Sequence, residues 1–120
     1  PVEVPEAQAG GRGIYQMDIT NKSYLLEIKD GFGKQEFEDF LDRFLKDTYR
    51  VKGFVRLEGK LYLADCTSGS RQLYAWNPLP GETQPASVNR LVILGGSGLP
   101  TAGSVKKACR DAADKIESFH

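Results

Sequence analysis

Arg50, Lys52, Phe54 and Arg56 alternate with Val51, Gly53, Val55 and Leu57, and no other stretch of the chain is better suited to recognition chemistry. Period-2 alternation belongs to a strand with one face on a core, so three cations and a ring point the other way. Tyr62, Tyr74 and Trp76 follow on stretches that read as the next strands, and a register that keeps them together adds rings to that face. Basic and aromatic side chains on an open sheet can stack nucleic-acid bases. They serve equally well as the packing and ion pairs of a face covered by another domain. Lys52-Gly53-Phe54 copies the first three residues of the RNP1 motif, but Val55 and Arg56 stand where a small residue and an aromatic should follow. The candidate interface residues are Arg50, Lys52, Gly53, Phe54, Arg56, Tyr74 and Trp76. Gly53 is included because a residue without a side chain lets another backbone come close.

Other chemistry finds little support in the residues. Gly95-Gly96-Ser97-Gly98 stands between a strand and a helix, where a phosphate loop would stand, but there is no G-x-x-x-x-G-K-[ST], and Thr101 occupies the third glycine position of G-x-G-x-x-G. It reads as a plain turn. A Ser-His-Asp or Cys-His arrangement needs an internal histidine, and His120 is the last residue. Asp39 and Asp42 fall on the solvated side of a helix, and Asp65 stands alone in a strand without an acid-base partner. Cys66 and Cys109 form no C-x-x-C pair and no small-protein disulfide framework, so free thiols are expected and no metal site is. The chain reads as a non-enzyme with no catalytic, cofactor-binding or metal-binding residue.

The elements that must position the interface residues follow from periodicity. Residues 1–13 hold prolines, glycines and charges without an apolar period and read as a flexible linker or tail, and residues 14–120 as one domain. Apolar stretches at 15–19 and 24–28 fit a bent strand or short hairpin. Phe37, Phe40, Leu41, Phe44 and Leu45 recur at helical spacing, which predicts a helix over 34–47. Strands are expected over 49–57, 60–66, 71–76 and 88–94, with Glu58-Gly59 making a tight turn and the proline-rich 77–86 a loop. A last helix opens at 100–104 and carries Val105, Ala108, Cys109, Ala112, Ile116 and Phe119 inward. The fold class is α+β: a mostly antiparallel four- to five-stranded sheet with two helices on one face. Its core should include Phe37, Leu41, Phe44, Val55, Leu91, Ile93, Val105 and Ile116.

The 120 residues carry 16 basic and 16 acidic side chains, so no bulk field draws the chain to nucleic acid or an anionic membrane. No run approaches the roughly 18 apolar residues of a membrane span. Residues 1–20 lack the layout of a signal peptide, so the expected location is cytoplasmic. The chain opens on Pro1 rather than Met, as a piece cut from a longer polypeptide would.

Arg50-Val51-Lys52-Gly53-Phe54, the meander ending in Ala75-Trp76, and Asn89-Arg90-Leu91-Val92-Ile93-Leu94-Gly95 before a final helix resemble the C-terminal domain of the CobW-like GTPases, from residue 14 to about 119. The resemblance implies an accessory module without chemistry of its own, packed on the GTPase domain of the same polypeptide. The parent protein would support metal delivery to a metalloprotein target or assembly of a cobalamin-type cofactor. GTP, magnesium and a transition metal are implied only for the missing N-terminal domain, which holds the family's Cys-x-Cys-Cys segment. The family's frequent His-rich stretch has no counterpart here, so no cofactor is expected in this chain. The alternative is an RNA-binding module using the basic-aromatic sheet face.

Overall fold

The computed structural model describes residues 22–82, 84–96 and 98–120. The expected tail at 1–13 and the apolar stretch at 15–19 lie outside them. Six strands, β1 (Lys22–Ile28), β2 (Arg50–Leu57), β3 (Lys60–Thr67), β4 (Leu73–Ala75), β5 (Arg90–Gly95) and β6 (Ile116–Phe119), form a single sheet among the described residues in the order β4-β3-β2-β5-β1-β6. Every neighbouring pair is antiparallel. The helices are α1 (Lys34–Asp42) and α2 (Thr101–Asp111).

Each element has a local cause. The Gly33 N–H donates to the Glu36 carboxylate at 3.2 Å, which closes the start of α1. The helix expected to run to 47 ends instead at Asp42, and Leu45–Asp47 forms a short 3-10 turn. Phe44 leaves helical geometry at φ −128°, and its carbonyl accepts both the Asp47 N–H at 3.0 Å and the Thr48 hydroxyl at 2.7 Å, which closes the broken end of the helix. Glu58 and Gly59 both take positive φ, 54° and 79°, as a two-residue hairpin turn requires, and this pins Leu57 opposite Lys60.

The sheet has one more strand than expected because the last helix stops early. α2 ends at Asp111, and Ile116–Phe119 is an edge strand beside β1 rather than a continued helical stripe. Ile116 and Phe119 are partly buried against the core from that strand.

Val51, Val55 and Leu57 of β2, Ala64 and Cys66 of β3, Leu91 and Ile93 of β5, and Leu26 and Ile28 of β1 share one face of the sheet. Phe37, Phe40, Leu41 and Phe44, together with Val105 and Ala108, close over that face in a single core. Both helices therefore cover the same side. The other side of the sheet carries no helix among the described residues.

Candidate functional site

The register lays out the uncovered face row by row. Tyr74, Leu63, Phe54, Arg90 and Glu27 stand side by side across five strands. The next row is Asp65, Lys52, Val92 and Leu25. The Trp76 N–H donates to the Leu61 carbonyl at 2.9 Å, which extends the β3–β4 ladder one residue beyond β4. The Trp76 indole then meets the Phe54 ring edge to face, with centroids 5.1 Å apart. Exposure is high for apolar side chains: 51% for Tyr74, 45% for Val92 and 37% for Trp76.

Six of the seven candidate residues, Arg50, Lys52, Phe54, Arg56, Tyr74 and Trp76, come together here. Gly53 does not. It lies on the helix side of β2 opposite Ala64, and a Cβ there would stand 2.1 Å from the Arg90 carbonyl oxygen. The backbone that approaches Gly53 is thus β5 of the same sheet, and the glycine serves strand packing. Tyr62 also turns away: it pairs with Val55 on the helix side, where the Lys34 ammonium sits 5.7 Å from its ring centroid. Val92, Leu63, Leu25 and Arg90 are the residues that sequence reasoning missed. They join the face through cross-strand pairing, and the one local signal was the alternation of Arg90, Val92 and Leu94 with buried Leu91 and Ile93.

Charge on the face is mostly spent within the chain. Arg50 pairs with Asp65 at 2.9 Å, Arg90 with Glu27 at 3.3 Å and Arg56 with Asp30 at 3.9 Å. The Asp30 carboxylate also accepts the Asn89 amide at 2.8 Å, and Glu27 accepts the Ser118 hydroxyl at 2.8 Å. Lys52, exposed at the third position of β2, has no ion-pair partner among the described residues. The result is an apolar and aromatic surface crossed by internally paired charges, with one ammonium on a middle strand that has no ion-pair partner among the described residues.

Elsewhere the structure offers little chemistry. At the glycine turn, a Cβ on Gly95 would stand 2.7 Å from the Thr101 hydroxyl and one on Gly96 2.4 Å from the Tyr49 ring, so both glycines are explained by packing. Burial raises the pKa of the Cys66 thiol and pushes that of Cys109 up to about 11. Both are protonated near neutrality, which disfavours nucleophilic or ligand roles. No group of three or more His, Cys, Asp or Glu side chains is placed to hold a metal among the described residues. No described helix is long and apolar enough to cross a membrane.

The fold and this face define the class: an α+β module whose sheet, among the described residues, is sealed by helices on one side and left open on the other. The family described as the cobalamin synthesis protein cobW C-terminal domain matches residues 22–109, well over half of the chain, and the chain belongs to that family. No curated protein and no solved structure matched the chain.

Proposed function

We propose that this chain is the non-catalytic accessory module of a CobW-like GTPase and that it docks on the GTPase domain of the same polypeptide through the open face of its sheet. By holding that domain, it supports delivery of a metal or assembly of a cobalamin-type cofactor through protein interaction. The observation that carries the reading is the Phe54–Trp76 pair set among Tyr74, Val92 and Leu63 on a sheet face that no described helix covers. Six strands spaced about 4.8 Å apart, with about 20 Å of strand length between the outer rows, make a patch on the order of one partner's share of a standard interface. Aromatic rings at the centre of such patches carry much of the docking energy, while charged pairs at the rim set orientation. The internal ion pairs favour this over phosphate binding, because a nucleic acid would have to compete with Asp65, Glu27 and Asp30 for the same guanidinium groups.

Titration of the chain with the separately expressed GTPase domain tests the proposal. Phe54→Ala combined with Trp76→Ala should weaken docking by a factor of about 10 or more, as loss of an aromatic hot spot does. Docking that survives the double variant unchanged would contradict the proposal. So would tight, salt-dependent binding of single-stranded RNA in place of the GTPase domain.

A further inference from the structure

Lys52 poses a problem for any protein that covers this face, and the problem identifies what the partner must bring. β2 and β5 are the two middle strands of six, so Lys52 stands two strands in from the β4 edge, about 10 Å at the usual strand spacing. Its neighbours on the face are Asp65 and Val92 across the ladder and Arg50 and Phe54 along β2. Asp65 is engaged by Arg50, Glu27 by Arg90 and Asp30 by Arg56. Among the described residues each of these three carboxylates thus has its own guanidinium, and Lys52 is the one cation of the face left over. An ammonium sealed under an apolar partner without a counter-charge loses its hydration and gains nothing in return, which is among the most costly events at an interface. Snorkelling to the rim relieves lysines at the edge of a patch, not one at its middle.

Resting on the docking reading above, we infer that the surface covering this face is an apolar patch bearing a single carboxylate that pairs with Lys52. The partner's counterpart is therefore neither basic nor wholly apolar. Its acid is the specificity element, because a surface lacking it would leave Lys52 stranded.

Lys52→Met tests this against the separately expressed GTPase domain, since methionine keeps the apolar reach and removes the charge. Stranding the partner's carboxylate should weaken docking by about 10-fold or more at pH 7.5, whereas Lys52→Arg should dock within a few-fold of the parent. Lowering the pH toward 5 should narrow the gap between Lys52→Met and the parent, because the stranded carboxylate can then take up a proton. The charged groups facing Lys52 (Asp65, Arg50, Arg90 and Glu27, with Arg56 and Asp30 further off) are common to both chains. So is His120, whose backbone pairs with Leu25 at the far side of the sheet. The comparison between the two chains therefore turns on the Lys52 charge alone. A Lys52→Met variant that docks as tightly as the parent, or more tightly, at every pH overturns the carboxylate while leaving the docking reading standing. If neither the parent nor Lys52→Arg docks, while the parent's melting temperature shows it folded, both fail.

Discussion

Gly53 links the strand that carries the interface residues to the middle of the sheet, and replacing it with alanine should damage the fold rather than the interface. A Cβ at position 53 would stand 2.1 Å from the Arg90 carbonyl oxygen, 3.0 Å from the Leu91 Cα and 3.1 Å from the Arg90 carbonyl carbon. The first contact is more than 1 Å short of the 3.4 Å at which ordinary packing begins, and all three obstacles are backbone, which cannot swing aside as a side chain can. Relief requires β5 to move off β2 along a ladder of five paired residues. Two or three weakened ladder bonds at about 0.5–1.5 kcal/mol each, with an overpacking cost of about 1–3 kcal/mol, span about 2–7 kcal/mol, with about 3–5 kcal/mol the central expectation for Gly53→Ala. A domain of this size should then melt lower by about 12 °C or more. Urea and thermal unfolding followed by far-UV circular dichroism supply the measurement. Gly103→Ala is the control: that glycine lies in α2 with nothing within 4 Å of the added Cβ, so alanine there should stabilise the chain by up to about 1 kcal/mol. Unfolding of Gly53→Ala within about 1 kcal/mol of the parent would refute the close approach of β5.

Phe44→Ala should cost about 3–5 kcal/mol, because the ring is fully buried and packs edge to face on Phe40 at 5.3 Å, and a loss under about 1 kcal/mol in urea melts would place it outside the core. Replacing Arg50, Lys52 and Arg56 together with serine should leave the melting temperature nearly unchanged, since the two ion pairs lost are exposed, while weakening docking to the GTPase domain. Unfolding of that variant, or docking equal to the parent, would argue against an interface role for the three. Cys109, with its pKa pushed up from 9.0 to about 11, should react with iodoacetamide at pH 8 about 100-fold more slowly than an unstructured thiol, and alkylation at the ordinary rate would contradict its partial burial against the core. The same shift makes its contribution to stability complete below pH 9 and lost as pH rises through about 11, because above 9 the unfolded chain binds the proton less tightly than the folded one.

What the sequence made legible tracks how local each cause is. The Phe37, Phe40, Leu41 and Phe44 stripe and the Glu58-Gly59 turn depend on neighbours a few residues away: the turn appears as read, and the stripe is buried as read although its helix ends at Asp42, before Phe44. The turn even determines that Tyr62 faces Val55, so its place on the helix side was implicit in a two-residue loop. The last strand misled for a specific reason. Residues three apart in a regular strand face opposite ways, but a register shift against Glu27 and Ile28 sets Ile116 opposite Ile28 and Phe119 opposite Leu26, both on the core face. Those two residues, with Ala112 four positions earlier, then imitate a helical stripe. Non-local pairing hid the rest: nothing near Val92 in sequence announces that β5 lies between β2 and β1, which is what brings Val92 beside Lys52. The three internal ion pairs of the open face were hidden for the same cause, since Asp65, Glu27 and Asp30 meet their arginines across strands and loops.

The central claim is that the open sheet face, and not the helix layer, holds the GTPase domain. Amide chemical-shift mapping of the isotope-labelled chain on titration with that domain addresses it most directly. The predicted result is a set of perturbations centred on Phe54, Leu63, Tyr74, Trp76 and Val92 that saturates with the partner and leaves the outward residues Asp39, Lys46 and Lys107 undisturbed. Perturbations concentrated on α1 and α2, or none at saturating partner, would contradict it.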